Sequence, residues 1–208
     1  STKQDTLYYS NGTVKICGKH EENKKTGIWT AFYENGKLSS RGIVSDGFPI
    51  GFWKFYYPNG NLKAEGKFSL GKFELGCAGS DNYVDAPIMD SLWKFWNESG
   101  SIKRICSFHK NQYNEEELTG RFISYYSNNI KKEEGNYKKG TKKGAWTYWH
   151  NNGNKQREEF YEYRDCGLYD YNWYECPSGK WIYYNLKGKI VKMEIYEEGE
   201  AVKVIVVG

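Results

Sequence analysis

The side chains of this chain that could act as acids or bases stand far apart. The three histidines, His20, His109 and His150, each lie in or near a polar connector or turn. A general base must reach the group whose proton it takes, and a solitary surface histidine is far more often solvated than catalytic. The histidines therefore predict no catalytic centre, and we expect a protein that is not an enzyme.

The sequence also lacks the residue spacings that are typical of metal-binding and phosphate-binding sites. The sequence contains no Cys-x-x-Cys and no His-x-x-x-His, so it predicts no zinc site. The Gly-Cys-Ala-Gly run at 76–79 lacks the Lys-Ser/Thr pair and the helix of a phosphate-binding loop. Asp81, Asp85 and Asp90 are spaced too loosely for a calcium loop, which favours solvated carboxylates. We expect no metal and no cofactor.

The five cysteines allow one specific pairing. An odd count leaves at least one thiol unpaired or bonded between chains. Cys166 and Cys176 flank one insertion and could close it as a disulfide in an oxidising compartment. Buried or half-buried thiols are the alternative interpretation of these two residues.

Aromatic side chains offer binding rather than catalysis. Trp and Tyr dominate interaction hot spots, and exposed apolar patches mark interaction sites. One group of candidates lies on the sheet face opposite a row of tryptophans. A second group lies in an acidic, aromatic insertion. The predicted partner-binding residues are Tyr56, Trp96, Tyr126 and Tyr184 in the first group, and Tyr169, Tyr171, Trp173 and Asp170 in the second. The rings of the insertion could instead fold back over a sheet edge.

The elements that must position these rings are β-hairpins, and residues 51–68 show the unit best. Trp53, Phe55 and Tyr57 alternate with polar or smaller neighbours, and alternation continues after the turn. This period of two is typical of half-buried strands. Pro58-Asn59-Gly60 supplies a preset φ and then a residue that tolerates positive φ, as a three-residue hairpin loop needs.

The same unit recurs seven times. The turn residue is Gly in six copies and Asn129 in one, and a tryptophan stands seven residues earlier in five of them. Steps between the copies are often 24 residues, which indicates a repeat architecture. The predicted hairpins are residues 7–19, 27–44, 51–68, 91–108, 120–137, 144–161 and 179–196. The tryptophans either pack on the neighbouring hairpin or line a stacking groove.

The remaining segments are insertions between the repeats and the C-terminal residues that follow the last repeat. We interpret residues 69–90 and 162–178 as two long inserted loops, the first an elaborated connector rather than a degenerate repeat. Residues 200–208 are apolar on both faces, which predicts a final strand that is covered on both sides or caps the open end. The whole chain, 1–208, is predicted to be a single repeat domain.

Composition and charge exclude some functions. The net charge is +4 and no basic stripe is present, so nucleic acid is not an expected partner. No apolar run is long enough for a transmembrane helix. Aromatic residues make up 18% of the chain, which favours a thin sheet. Because the chain starts at Ser1, either a leader was removed, giving an exported protein, or the sequence was trimmed; we expect the former.

The repeated Gly-x-Trp-x-x-(Tyr/Phe)-x-x-x-Asn-Gly-x-Leu pattern resembles the MORN repeat, and more closely its bacterial variant, a toxin–antitoxin-type antitoxin repeat family. The resemblance covers nearly the whole chain outside the two insertions. It implies an all-β fold, a single-layer elongated antiparallel sheet of about seven stacked hairpins. It also implies an antitoxin or immunity-like protein that binds and occludes a toxin. The alternatives are a membrane-lipid-associated protein, for which Lys138, Lys139, Lys142 and Lys143 form the only basic cluster, and a scaffolding or carbohydrate-binding protein.

Overall fold

The structure is a computed structural model, and it describes residues 2–74, 83–111, 115–164 and 174–207. All regular elements in these ranges are β-strands, and every strand pairing within them is antiparallel. The predicted all-β fold of antiparallel hairpin repeats is confirmed. The strands are β1 (Lys3–Tyr8), β2 (Val14–Glu21), β3 (Lys24–Phe32), β4 (Leu38–Ser45), β5 (Phe48–Tyr56), β6 (Leu62–Glu74), β7 (Tyr83–Trp96), β8 (Ile102–Lys110), β9 (Glu116–Tyr125), β10 (Lys131–Lys138), β11 (Thr141–Trp149), β12 (Lys155–Arg164), β13 (Tyr174–Pro177), β14 (Gly179–Tyr184), β15 (Ile190–Glu197) and β16 (Glu200–Val206).

The chain divides into two compact units. Unit 1 is Ser1–Ile102 with Phe108–Glu117, and unit 2 is Lys103–Ser107 with Leu118–Gly208. In unit 1, β1 to β7 pair in chain order, each with the next. In unit 2, β9 to β12 pair in the same way, β12 pairs with both β13 and β14, and β14 to β16 follow.

Each repeat turns through the same backbone geometry. In the third copy, the amide of Tyr57 donates to the carbonyl of Asn61 at 2.8 Å, and the amide of Gly60 donates back to Tyr57 at 2.8 Å. Gly60 has a φ of 96°, and Asn129, which replaces glycine in the fifth copy, has a φ of 65°. This is the predicted tight turn ending in a left-handed residue, because only glycine and asparagine enter that region at low cost.

A second left-handed residue lies two positions before each tryptophan and produces a β-bulge. At Gly51 the φ is 63°, and at Ser91 it is 59°. The bulge shifts the register between neighbouring hairpins: Arg41 pairs with Lys54 but Ile43 pairs with Ile50, so that Gly42 has no partner on that side. A bulge of this kind re-aims the side chains that follow it. Here it turns the indole of Trp53 onto the preceding hairpin.

The core of each repeat is an indole lying flat on a glycine of the preceding hairpin. A Cβ built on Gly42 would lie 2.1 Å from Cδ2 of Trp53, and one on Gly66 would lie 2.2 Å from Cδ2 of Trp93. Aromatic rings then extend the packing, since Phe55 stacks between those two indoles with centroids 5.9 and 6.3 Å away. The tryptophans are buried, Trp93 to 2% exposure.

Two copies replace this glycine. Cys106 occupies the glycine position of the fourth copy, and the next copy carries Phe122 in place of tryptophan, so a larger residue is matched by a smaller ring. Glu159 occupies the glycine position of the sixth copy and is only 6% exposed. Unit 2 therefore buries a carboxylate where unit 1 has bare backbone.

The described parts of both insertions are strands rather than loops. β6 continues to Glu74 and pairs with β7 from Lys67↔Asp90 to Glu74↔Tyr83, so the described flanks of the predicted loop at 69–90, residues 69–74 and 83–90, are paired strands. In residues 162–178, β12 runs to Arg164 and pairs with β13. Strand alternation in the flanks, such as Val84-x-Ala86-x-Ile88, extends the ladder past the repeat boundary.

The predicted final strand is present as β16, but it is not covered on both sides. It pairs with β15, and Val202, Val204 and Val206 are 55%, 55% and 76% exposed. Among the described residues, β16 is the last strand of its sheet.

Candidate binding surfaces

The row of tryptophans is structural. Each indole nitrogen donates to the backbone carbonyl directly after the position that its ring covers: Trp29 to Lys19, Trp53 to Ile43, Trp93 to Lys67, Trp146 to Asn136 and Trp181 to Phe160, at 3.0–3.2 Å. A buried carbonyl that lacks a hydrogen-bond partner is costly. The indoles therefore complete the backbone hydrogen bonding, and their faces are covered by neighbouring hairpins rather than open as a groove.

A ladder of polar side chains joins successive turns along one edge. The Asn35 side chain accepts from the amide of Lys37 and donates to the carbonyl of Pro58, at 3.0 and 2.9 Å. Tyr33 donates from its hydroxyl to the carbonyl of Tyr56 at 2.6 Å. The equivalent asparagines in other copies are Asn11, Asn59, Asn128 and Asn152. This ladder was not foreseen, although the repeated Asn-Gly pair and the tyrosine before it are its sequence signal.

Tyr126 belongs to this ladder. Its hydroxyl donates to the carbonyl of Trp149 at 2.8 Å, as Tyr33 and Tyr57 do in their copies. It was predicted on the open face beside Tyr56, but Tyr125 holds that repeat position. The assignment was displaced by one residue because Tyr125 and Tyr126 are adjacent.

The other repeat tyrosines and Trp96 lie on the sheet face opposite the indoles. Tyr56 and Trp96 are half-buried in unit 1, and Tyr184 is half-buried in unit 2, with its hydroxyl bonded to Glu158. Burial, together with that carboxylate, raises the pKa of Tyr184 to about 12. The structure thus brings Tyr56 and Trp96 into one unit and leaves Tyr184 in the other; their role in binding stays a prediction.

Apolar side chains cross the same face of unit 1 in a row that we call the outer apolar row: Ile28, Ile43, Phe52 and Leu92. They are 55%, 44%, 52% and 49% exposed. Ile28 and Ile43 are directly paired across β3 and β4, and Phe52 follows on β5. Ile28, Phe52 and Leu92 stand directly before the tryptophans of their copies, but the sequence analysis assigned them no role.

Basic side chains border this row. Lys54 and Lys94 lie 3.8 and 3.7 Å from the two oxygens of Glu65, and Lys67 lies 3.4 Å from Asp90. Arg41 is exposed on the same face. Four basic groups thus stand beside two carboxylates. Exposed ion pairs such as these contribute little to stability, so the excess positive charge is available to a partner.

The equivalent face of unit 2 is more polar, although Phe160, which pairs with Ala145, is 42% exposed there. Arg121 and Lys131 both bind the carboxylate of Glu134, at 2.5 and 2.6 Å, and the pKa of Glu134 is lowered because these bonds outweigh the effect of burial. Ala145 stands where unit 1 has Phe52, and it is exposed. The two units therefore present different chemistry at equivalent positions.

The indole face of unit 2 carries a buried charge cluster around Glu159. Arg157 Nε lies 2.7 Å from Glu159 Oε1, Tyr161 donates its hydroxyl to Oε2 at 2.8 Å, and the Arg157 guanidinium sits 4.0 Å from the ring centroid of Tyr148. Burial would lower the pKa of Arg157, but the carboxylate beside it raises the pKa above its usual value. Burial and the same carboxylate raise the pKa values of Tyr148 and Tyr161. The Glu159 carboxylate is thus paired with Arg157 and hydrogen-bonded by Tyr161, which lets a carboxylate occupy the glycine position, while the Tyr148 hydroxyl has no hydrogen-bond partner among the described residues.

Several predicted residues lie outside the described ranges, namely Tyr169, Asp170, Tyr171, Trp173 and Cys166. Cys176 is buried and disulfide-bonded, while Cys17 and Cys106 are free. The pairing of Cys176 with Cys166 stays a prediction.

The described part of the chain has neither a metal-binding cluster nor a membrane-spanning helix. It contains no group of three or more His, Cys, Asp or Glu residues placed to hold a metal ion. None of its elements is a helix of the length and apolar character that a membrane span needs.

Stacked hairpins with buried indoles, a polar turn ladder and an open opposite face define a β-hairpin-repeat protein. Residues 25–44, 51–69, 118–139 and 142–163 match the family described as MORN repeat variant. These four segments are therefore MORN-variant repeats, and such repeats suggest a repeat-based binding role.

Other comparisons add little. No curated protein matches the chain. Among solved structures it is similar to "Crystal Structure of TcdB2-TccC3-TEV", with 8% identity, a TM-score of 0.23 and coverage of 93% of this chain and 12% of that one. It is also similar to "Crystal Structure of TcdB2-TccC3", with 9% identity, a TM-score of 0.18 and coverage of 93% and 14%. The chain thus spans a small part of either.

Proposed function

We propose that this protein is a non-enzymatic protein-binding module, and that its partner is a toxin which it occludes as an immunity or antitoxin-like protein. The observation that carries the binding role is the outer apolar row. Four large apolar side chains at about half exposure, on one face of strands β3, β4, β5 and β7, lose contact with water only when another surface covers them.

The position of the row separates it from the residues that hold the fold. The indoles, the glycines beneath them and the turn ladder all act on the other face or along the edge. Residues of the row such as Ile28 and Phe52 are therefore available without disturbing the packing of Trp53. Tyr56 and Trp96 stand on the same face and would extend the contact toward the turns.

Charge indicates the chemistry of the partner. The basic groups beside the row, with Arg41 free of any carboxylate within the described residues, favour a partner surface that is apolar at its centre and acidic at its rim. Complementary charge of this kind accelerates association and sets specificity more than it adds affinity. The assignment to toxin binding rests on the resemblance of the repeats to antitoxin-type variants.

The test compares one charge introduced at equivalent positions of the two units. Phe52→Asp places a carboxylate in the row, and Ala145→Asp places the same group at the equivalent exposed position of unit 2. Proteins from the source organism that bind the unaltered chain are identified, and the affinity of each is measured by calorimetry. We expect Phe52→Asp to weaken binding at least about tenfold, as loss of a hot spot does, and Ala145→Asp to leave it unchanged.

The toxin assignment is tested by function. The identified partner is expressed alone, and co-expression of the unaltered chain is expected to restore growth, whereas Phe52→Asp is not. Equal affinities for the two variants would refute the surface. A partner that binds through the row but has no toxicity would refute the antitoxin role and leave the binding role standing.

A further inference from the structure

The outer apolar row is one side chain wide and runs across the strands of unit 1. Ile28, Ile43 and Phe52 lie on the consecutive strands β3, β4 and β5, and Leu92 lies on β7. On β6 the row is interrupted by Lys67, which pairs with Phe52. Because neighbouring strands are about 4.8 Å apart, the four apolar side chains stand at about 0, 5, 10 and 19 Å along the row.

A second row, two residues nearer the hairpin turns, is basic. Arg41 pairs with Lys54, Lys54 pairs with Glu65, and Glu65 pairs with Lys94. Alternation along the strands places these side chains on the same face as Phe52. The two lysines lie 3.8 and 3.7 Å from the oxygens of Glu65, so three cations share one carboxylate. The apolar row is thus bordered by excess positive charge along the side that faces the turns.

This face can accept a segment only through side chains. β3, β4 and β5 each pair with a strand on both sides, so their peptide groups are used within the sheet. An extended segment gains affinity from main-chain hydrogen bonds to a free strand edge, whereas a helix satisfies its own peptide groups. A second sheet packs through a broad apolar face, and a row one side chain wide does not supply one. The geometry therefore favours a helix.

We propose that the partner binds the outer apolar row with an amphipathic α-helix that lies across the strands and carries acidic residues on the flank facing the basic row. This inference rests on the binding role proposed above and names the kind of segment that occupies the surface. Charge complementarity with Arg41, Lys54 and Lys94 selects the acidic flank.

The spacing of the row matches the pitch of a helix. At a rise of about 1.5 Å per residue, positions i, i+3, i+7 and i+14 stand at about 0, 5, 11 and 21 Å along the helix axis. These values agree with the four positions of the row to within about 2 Å. The four helix positions also share one face, as the apolar stripe of an amphipathic helix does. Position i+11 then lies near Lys67, where the row has no apolar side chain.

The test uses synthetic peptides of about 20 residues, long enough to cross the row as a helix. The probe carries leucine at i, i+3, i+7 and i+14, glutamate at i+11 and along both flanks, and alanine or glutamine elsewhere. One control peptide has the same composition with its leucines redistributed around the helix, and a second has lysine in place of each glutamate. Calorimetry gives the dissociation constants, and circular dichroism reports helix formation by the peptide on mixing.

We expect the probe to bind the unaltered chain as a helix, and both control peptides to bind at least about tenfold more weakly. Phe52→Asp is expected to raise the dissociation constant of the probe at least about tenfold, while Ala145→Asp leaves it unchanged. Arg41→Glu is expected to weaken binding of the probe and to strengthen binding of the lysine peptide. Thermal unfolding checks that each variant is folded, which is expected because the three positions are exposed.

The proposal is overturned if the probe and the redistributed peptide bind equally, if the probe binds without becoming helical, or if Phe52→Asp and Ala145→Asp have equal effects. A natural partner that binds through the row while the probe does not bind would overturn the helix and leave the proposed binding role standing. Binding to vesicles of anionic lipid that Phe52→Asp abolishes, without binding of the probe, would assign the face to a membrane surface and also overturn the proposal.

Discussion

Replacing Gly66 by alanine tests whether contact between glycine and indole determines the stability of the repeats. The new Cβ would lie 2.2, 2.4 and 2.5 Å from Cδ2, Cε2 and Cγ of Trp93. The ring has nowhere to move, since it is 2% exposed and packs on Phe68 with centroids 4.9 Å apart and on Phe95 at 5.9 Å.

The magnitude follows from two limits. If the core deforms around the methyl group, overpacking costs about 1–3 kcal/mol. If the indole is expelled, about 150–250 Å² of aromatic surface returns to water, which at about 25 cal/mol per Å² costs about 4–6 kcal/mol. We expect a loss of about 3 kcal/mol in the free energy of unfolding, measured by urea titration followed by circular dichroism.

Gly60→Ala is the matched control. Gly60 has a φ of 96° and only the Lys37 side chain nearby, at 3.6 Å, so alanine there meets backbone strain of about 1–2 kcal/mol and no ring. A double-mutant cycle isolates the contact, because Gly66→Ala should cost little once Trp93→Ala has removed the indole. Equal losses for Gly66→Ala in the two backgrounds would refute the reasoning.

Three further outcomes are expected. Ser91→Gly should stabilise by about 0.5–1 kcal/mol in thermal unfolding, because serine is held at a φ of 59°, and a lower melting temperature would contradict the bulge. Asn35→Asp keeps the acceptor for the turn amide but loses the donor to Pro58, whereas Asn35→Ala loses both. Each lost hydrogen bond should lower the free energy of unfolding by about 0.5–1.5 kcal/mol, so Asn35→Asp should lose less stability than Asn35→Ala. Identical losses in urea titrations would show that the bond to Pro58 does not stabilise the protein. Burial raises the pKa of Cys106 from 9.0 to about 11, so the contribution of this thiol to the free energy of unfolding is full below pH 9 and is lost as pH rises to about 11. The free energies of unfolding of the unaltered chain and of Cys106→Ala should therefore converge over that pH range. A constant difference between them would refute the assignment.

The hairpins were predictable because their signals are local. An Asn-Gly pair such as Asn59-Gly60 fixes a turn through its own backbone preferences, and alternation on each side fixes the strands. The bulge was missed although a glycine stands two residues before four of the five repeat tryptophans. Its geometry depends on a register between two hairpins, which no single repeat displays.

The surfaces were less predictable because they depend on which residues become covered. Glu159 resembles a solvated carboxylate in sequence, and only its repeat position, where other copies have glycine, indicates burial. Phe52 resembles a core residue in sequence, but alternation about the buried Trp53 places it outward. Tyr126 was misplaced by one residue because a second tyrosine, Tyr125, directly precedes it.

The division of labour between the two faces has a consequence for how such chains diversify. The residues that every copy must retain are those of the bulge, the indole and the turn, and they occupy one side and one edge. Positions such as Phe52 and Ala145 take no part in the bulge, the indole packing or the turn. Residues of the outer face can therefore be substituted in one copy at a time without loss of the fold. Relatives with the same scaffold can then differ in the partners that they recognise.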